Sequence, residues 1–314
     1  MASSRTTQFF KIIRNPKILI SRIIMLDFIS KRLSDATYLK WLYYLRTGKH
    51  LNLDNPQSFN EKIQFLKLYN TSDKCARLVD KYEVRKYIAE KIGNEYLIPM
   101  IGCWDRFEDI DFNILPNQFV LKCTHDSGSV IICNDKNTFN ISSARIKLES
   151  ALKQNYFWTG RESPYKKIKP RIICEKLMKD ERYDDLVDYK FLCFDGQPKL
   201  LFYASERFTS KDRVPKNDFY DMDLNNLPIK SEGHENSGKR PNISSETFEK
   251  MKELAQVLAD GFPLLRVDFY EINNRIYFGE LTFHHNSGLV ELQPDEWNIT
   301  LGQWIHLPDG TIKY

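Results

Sequence analysis

Cysteine is scarce: the 314 residues contain six, at positions 75, 103, 123, 133, 174 and 193. None falls in a Cys-x-x-Cys or other paired metal-ligand spacing, which excludes a cysteine zinc site and a disulfide scaffold. Several lie inside apolar, strand-like runs, so they read as buried reduced thiols of a cytoplasmic protein. Glycine and proline are few, 13 of each, which excludes collagen-like and low-complexity chains. Long apolar runs are missing too. Arg14, Lys17 and Arg22 interrupt every N-terminal apolar stretch well short of the roughly 18 residues a membrane span requires. No small-residue cleavage site follows an uninterrupted apolar run, so no signal peptide is expected either. Zinc-finger spacing and aromatic RNP-like strands are absent, and nucleic acid is not an expected partner.

What is present suffices for packed cores. Hydrophobic residues make up 42% and aromatic residues 13%, and with 28% charged the composition excludes a disordered chain. At about 150 residues per domain the length suggests two domains. The net charge of +4 conceals an asymmetry: residues 1–50 carry ten Lys/Arg against two Asp, a net of +8, so the remainder sums to −4. A solvated basic face on a packed helix accounts for this. Peripheral docking of residues 1–33 on anionic headgroups at the inner face of the cytoplasmic membrane is the alternative.

Apolar residues recur at helical spacing over 8–50 and 58–92, with Pro16 and Pro56 as boundaries and Ser58 as an N-cap. From Ile98 onward short apolar runs alternate with turn residues: 119–123, 129–133, 171–178, 189–194 and 198–205 predict strands, with Asp195-Gly196 as a hairpin turn. A helix is expected over 246–260, capped by Ser244 or Ser245 and ended by Gly261, then a hairpin over 264–283 turning at Asn273-Asn274. The polar stretch 205–241 has little periodicity and reads as a substrate loop or an insertion.

Chemistry concentrates in four places. In the last hairpin, alternation puts Leu265, Val267 and Phe269 on a core face with Tyr277, Gly279, Leu281 and Phe283. Arg266, Asp268, Glu280 and Thr282 then fall on the other face. Asp268 meets Glu280 only if the turn has three residues or the strand a bulge. The two carboxylates suit Mg²⁺, which takes hard oxygen ligands together with nucleotide phosphates, and Arg266 suits a developing anion; a salt-bridge ladder is the plainer alternative. The second place is Lys122, closing a strand before the Ser127-Gly128-Ser129 turn, where backbone N–H groups suit phosphate oxygens or simply make a turn. Glu175-Lys176-Leu177-Met178 at a strand end and Asp80-Lys81 at a helix head are the third and fourth, each unremarkable alone.

Taken in order, these features resemble the ATP-grasp superfamily. The blocks at 60–69, 80–88, 115–128, 188–199 and 278–288 are more narrowly similar to the TupA-like ATP-grasp family, linked to teichuronopeptide and capsular polysaccharide synthesis. The resemblance covers roughly residues 45–305. It implies an α+β ATP-grasp fold, two lobes gripping ATP, with a helical N-terminal region over 1–78, one lobe over 79–180 and the other over 181–314. Lys81, Lys122 and the 127–129 turn would hold ATP phosphates, Glu175 to Met178 would form the adenine hinge, and Asp268 and Glu280 would hold Mg²⁺. Catalysis would rest on Arg266, Lys122 and Glu280. Where the superfamily has Glu-x-Asn this chain has Thr282 in third place, and Asn286 is the candidate replacement ligand. His125, His284 and His285 would lie near the phosphates, either to accept a proton or as hydrogen-bonded loop residues.

The implied reaction is an ADP-forming carboxylate–amine ligation through an acyl phosphate, joining an amino acid to a hexuronic acid of a surface polysaccharide or its precursor. Lys190, Arg207, Arg213, His125 and His284 are the candidate substrate-binding residues. Two alternatives stand beside it: a glycosyltransferase using Asp221-Met222-Asp223, and a non-catalytic scaffold of the polysaccharide assembly, which Thr282 would suit.

Overall fold

In the computed structural model of the protein, residues 27–70, 72–182, 186–205 and 214–308 are described, together with Ile20 and Ile23. Arg207, Arg213 and most of the basic segment 1–33 lie outside the described residues. Strands β1 (Met100–Trp104), β2 (Phe119–Cys123), β3 (Ile131–Cys133) and β4 (Ile172–Lys176) form a small antiparallel sheet in the order β1-β4-β2-β3. Strands β5 (Asp188–Phe194), β6 (Gln197–Ser205), β7 (Lys216–Tyr220) and β8 (Asn226–Leu227) join a larger one. With β10 (Leu264–Ile272) and β11 (Arg275–Thr282) its order is β11-β10-β5-β6-β7-β8, antiparallel throughout. Short β9 (Lys230–Ser231) and β12 (Leu292–Gln293) pair with each other.

The helices are α1 (Asp35–Thr47), α2 (Phe59–Tyr69), α3 (Asp73–Val79), α4 (Val84–Lys91), α5 (Ile141–Leu152), α6 (Ser245–Ala259) and α7 (Glu296–Gln303). Ser58 starts α2 with a capping box: its hydroxyl accepts from Glu61 N–H and the Glu61 carboxylate accepts from Ser58 N–H, contributing about 1 kcal/mol. Ser244 caps α6 with its hydroxyl alone, accepting from Thr247 N–H, so the expected start of that helix is met.

Both faces of the large sheet are covered, which is why β5 reads as a near-continuous apolar run. Tyr189, Phe191 and Cys193 meet α6 and the α3–α4 pair, while Leu192 and Phe194 meet α2 and α7. Each fully buried side chain of this kind contributes roughly 1.5–3 kcal/mol. Helix α3 spans the boundary expected at 78/79, and its Cys75, Leu78 and Val79 are buried in the large sheet's own core. Helix α5 covers only the face of the small sheet that carries Phe119, Leu121, Cys123 and Cys174. The opposite face, with Val120, Lys122, Ile173 and Glu175, is left for the site. Helix α1 packs on α2, and the buried guanidinium of Arg161 seals the join between the rings of Tyr38 and Trp158, 4.3 and 4.4 Å from their centroids, with Nε 2.8 Å from Asp35.

Residues 214–241, described within the stretch 205–241, hold regular structure where little periodicity was expected: β7 lies among them and pairs with β6. Its signature is hidden because Asn217 and Asp218 are buried beside Phe219 and Tyr220, and the Asp218 carboxylate accepts local N–H bonds from Ser237 and Gly238. In the last hairpin the turn has two residues, Asn273 and Asn274, both with positive φ, and Ile272 pairs with Arg275. The register then slips between Val267 and Phe269, so Gly279 and Glu280 together oppose Asp268. Of the two ways expected for Asp268 to meet Glu280, the strand takes the bulge, which also turns Phe278 into the core with Phe269 and Leu281.

The segment 177–187 connects the two sheets. It is tied to the hairpin tip: Asn273 N–H donates to Asp180 Oδ2 at 2.8 Å, Glu181 N–H to Asn273 Oδ1 at 3.3 Å, and Arg182 Nη1 reaches Asn274 Oδ1 at 3.4 Å.

Candidate active site

The other face of the small sheet, where Ile173 and Glu175 are buried, supplies the first half of the site. Lys122 Nζ lies 2.6 Å from Glu175 Oε2, and Arg85 Nη1 lies 3.5 Å from Glu175 Oε1. Asp80 Oδ1 accepts from Tyr82 and Glu83 N–H, shaping the turn that delivers Lys81, whose ammonium donates to the Asp126 carbonyl. Burial lowers the Lys81 pKa; Glu280 and Asp126 pull it up and Lys122 pushes it further down, so Lys81 lies within electrostatic reach of Glu280 on the other sheet.

In the 127–129 turn, Gly128 adopts φ +104 and has open space where a Cβ would stand, while Ser127 and Gly128 are exposed. Ser129 points inward instead: its hydroxyl accepts from Cys123 N–H at 2.9 Å and donates to Asp126 Oδ1 at 2.6 Å, stapling the loop to β2. Lys176 N–H donates to the Pro99 carbonyl at 2.9 Å; its side chain is exposed, and Leu177 and Met178 are half-buried.

The hairpin supplies the second half. Arg266 Nε and Nη2 donate to the two oxygens of Asp268 at 2.7 and 2.8 Å, and Nη2 also donates to Glu280 Oε1 at 2.6 Å. Lys190 Nζ reaches Asp268 Oδ2 at 2.6 Å and Asp188 at 3.4 Å. Burial opposes the charges of Asp268 and Arg266, but each is more than offset by its partners: Arg266 and Lys190 hold the Asp268 carboxyl below its ordinary range, and Asp268 and Glu280 hold the guanidinium above its own. Gly279 makes the approach feasible, since a Cβ there would stand 3.1 Å from the Asp268 carbonyl oxygen and 3.4 Å from its Cβ. Sharing one guanidinium nitrogen sets the two carboxylates side by side, Asp268 1% exposed and the Glu280 side chain 48%. Among the described residues no group of three His, Cys, Asp or Glu forms a metal cage. Two carboxylate donors, one of them open, fit a Mg²⁺ whose remaining ligands are phosphates and water.

The other expected residues are placed as follows. His285 Nδ1 lies 3.3 Å from Arg266 Nη1, which only donates, so the imidazole proton sits on Nε2; Asn286 Nδ2 stands 3.2 Å from that nitrogen, and the amide turned about to present its oxygen accepts the Nε2 proton. Asn286 is thus occupied by His285, and among the described residues no hydrogen bond joins it to Asp268 or Glu280. His284 is buried with Nδ1 3.4 Å from Glu162 Oε2; burial lowers its pKa against the pull of Glu162, so the ring is neutral. His125 is turned away: Nε2 lies 3.1 and 3.2 Å from the carbonyls of Ala151 and Gln154 beyond α5, the structural of the two roles considered for it. Lys190 serves as a counter-cation within the carboxylate cluster. Asp221 is saturated by its own turn, accepting from Asp223 N–H, Asn225 N–H and the Asn225 amide, so the Asp-Met-Asp triplet is turn architecture.

Sequence reasoning missed Glu162, Tyr156 and Tyr165. Tyr156 hydrogen-bonds Ser127, packs edge-on against Tyr165 at 4.9 Å, and both phenols feel Glu162 and Glu280. Only their position in the aromatic-rich run 156–165 hinted at a packed wall.

Two antiparallel sheets are joined by a short crossover, with Lys122 on one, the Asp268–Glu280 pair on the other and Lys81 within electrostatic reach of Glu280, and this is the fold of an ATP-grasp protein. The family profile described as TupA-like ATPgrasp matches residues 61–306, and the chain belongs to that family. Solved structures similar to it include N5-carboxyaminoimidazole synthase from Aspergillus clavatus, in complex with ADP (15% identity, TM-score 0.40, covering 68% of this chain and 46% of that one). D-alanine–D-alanine ligase from Bacillus anthracis is 16% identical (TM-score 0.37, 66% and 57% covered). L-amino acid ligase from Bacillus licheniformis is 13% identical (TM-score 0.41, 68% and 44% covered). The chain spans about half the length of these solved structures. No curated protein matches it.

Proposed function

We propose that the protein is an ADP-forming carboxylate–amine ligase that joins an amino acid to a hexuronic acid of a surface polysaccharide or its nucleotide- or lipid-linked precursor. The observation that carries this reading is the Arg266 guanidinium holding Asp268 and Glu280 side by side, with Lys81 within electrostatic reach of Glu280 and of Lys122. Mg-ATP, when bound, supplies the phosphoryl group that activates the carboxylate. Lys122 and Lys81 neutralise phosphate oxygens, Asp268 and Glu280 hold the cation, and Arg266 orients the carboxylates and offsets charge on the transferring group. The aromatic wall of Tyr156 and Tyr165 limits water. The incoming amine attacks the activated carbonyl, losing a proton as phosphate departs, and His284, beside Glu162, is the candidate to take that proton.

The glycosyltransferase alternative loses its metal motif, because the Asp221 carboxylate is spent on its own turn. No helix among the described residues is long and apolar enough to cross a membrane. Contact of residues 1–33 with anionic lipid remains part of the proposal, tested by vesicle partitioning of a chain lacking them: equal partitioning sinks it.

The reading is tested by ADP release in a matrix of free and UDP-linked hexuronic acids against the amino acids, with Lys122→Ala alongside. ADP release that needs both a hexuronate and an amine, and is lost in Lys122→Ala, supports it. Thermal stabilisation by UDP-sugars with Mn²⁺ but not by Mg-ADP overturns it.

A further inference from the structure

The His-His-Asn-Ser-Gly turn beside Arg266 is held in an uncommon conformation. Asn286, Ser287 and Gly288 adopt φ of 48, 55 and 59° in succession, a left-handed run that Asn and Gly tolerate and Ser resists. Something must hold them there, and α2 does. Asn60, Gln64 and Lys67, at i, i+4 and i+7, form one stripe of that helix. Gln64 Nε2 donates to the carbonyls of Ser287 and Gly288 at 2.9 and 2.7 Å. Lys67 Nζ donates to the Ser287 carbonyl and hydroxyl, both at 2.8 Å. Asn60 Nδ2 donates to the Val290 carbonyl at 3.0 Å.

The turn is gripped from the other side as well. Gly160 leaves no room for a side chain, since a Cβ would stand 2.6 Å from Ser287 Oγ. Glu162, itself buried, bonds Ser287 and lies 3.4 Å from His284. Lys67 is 1% exposed, and Glu162 supplies the opposing charge. The turn then delivers His285 to Arg266 Nη1 at 3.3 Å.

We infer that Lys67 and Glu162 are a positioning pair: they clamp the 284–288 turn so that His285 aims the Arg266 guanidinium between Asp268 and Glu280. The N-terminal helix α2 is by this account a working part of the site. The inference rests on the role given above to Arg266 at the transferring phosphoryl group.

The test compares binding of Mg-ADP with that of Mg-AMPPNP, an uncleavable ATP analogue that keeps the third phosphate, by calorimetry on the full chain. The variants are Arg266→Ala, Lys67→Arg and the double Lys67→Met/Glu162→Gln, which removes both charges and leaves neither buried alone. In the double variant Mg-ADP affinity stays within about twofold of wild type while Mg-AMPPNP affinity falls roughly tenfold or more, the loss expected for a misaimed charged donor. Lys67→Arg keeps both affinities. Burial lowers the Lys67 pKa to about 8, with Glu162 pulling it up. The titratable groups facing it are Glu162 and His284. The wild-type preference for AMPPNP therefore declines from about pH 7 to about pH 9, where the ammonium discharges, and in Lys67→Arg it stays flat.

An unchanged AMPPNP-to-ADP ratio in the double variant overturns the inference, whatever happens to its melting temperature. If Arg266→Ala also leaves the ratio unchanged, the role given to Arg266 fails first and the inference falls with it.

Discussion

Replacing Asp268 by asparagine separates two accounts of the carboxylate pair by the sign of one number. Asp268 is 1% exposed, and three charged contacts of 2.6–2.8 Å fill its two oxygens, two from Arg266 and one from Lys190. Asp268→Asn keeps the shape and removes the charge. Breaking a buried ion pair from one side costs about 3–5 kcal/mol. Arg266 would keep Glu280 at 2.6 Å and Lys190 would keep Asp188 at 3.4 Å, so the lower end, about 3 kcal/mol, applies. At roughly 2–4 °C per kcal/mol this lowers the melting temperature by about 6–12 °C without nucleotide. The opposite account treats Asp268 and Glu280 as repelling carboxylates awaiting a cation, and on that account the variant is more stable than wild type. Scanning calorimetry at neutral pH, in chelator and without nucleotide, decides between them. Repeating the scan with Mg-ADP at about 100 times the wild-type Kd should raise wild type by about 2.7 kcal/mol and the variant by much less. A variant that melts at or above wild type, or that keeps the full nucleotide gain, refutes the reasoning.

Lys122→Met removes the charge facing Glu175 and should weaken Mg-ADP binding roughly 10–100-fold, the worth of one charged contact to phosphate; calorimetry that finds less than a twofold change removes Lys122 from the nucleotide site. Gly288→Ala places a methyl 2.7 Å from Gln64 Nε2 and 2.8 Å from Ile63 Cγ2 at φ +59, so urea unfolding should show a loss of roughly 2–4 kcal/mol, and a neutral result would mean the turn is not clamped. Burial, with Arg266 adding to it, lowers the His285 pKa to about 3. Below an unfolded value of about 6.5 the unfolded chain binds a proton that the folded chain refuses, so this group lowers stability as pH falls, by about 1.4 kcal/mol per pH unit down to its folded pKa. His285→Gln should remove that component between about pH 6 and pH 4; parallel pH profiles for the two proteins would show that His285 is not buried neutral.

Much of the fold is legible where one physical signal dominates. Ser58 and Glu61 announce α2 because a capping box needs only local residues, and Asp195-Gly196 announces its hairpin because few residues tolerate positive φ. The strands of the large sheet are plain because burial on both faces makes them apolar throughout. Strand β7 is not, since its Asn217 and Asp218 are buried and satisfied by residues about twenty positions away. Helix α5 was missed as well, because only Ala144 and Leu148 of its twelve residues are buried and the rest carry no apolar stripe. Within the site, Arg266, Asp268 and Glu280 share a hairpin and could be paired by parity once a bulge was allowed. Lys67 and Glu162 could not: each is a lone charge in its own segment, and their partnership exists only after α2, the 157–162 segment and the His-His-Asn-Ser-Gly turn have met.

The tether between the crossover segment and the tip of the last hairpin has a consequence for redesign. Asn-Gly is the stronger two-residue turn, and a stabilisation campaign would substitute Asn274 by glycine to relieve its φ of 61°. Locally the hairpin would improve. Yet Asn274 receives Arg182, and Asn273 beside it holds both Glu181 and Asp180. The optimised turn would grip the crossover less well, so a sturdier hairpin would come with a slacker connection between the two sheets. Melting temperature alone would score that change as a gain, while a screen that reads nucleotide binding would see the two sheets meet less often.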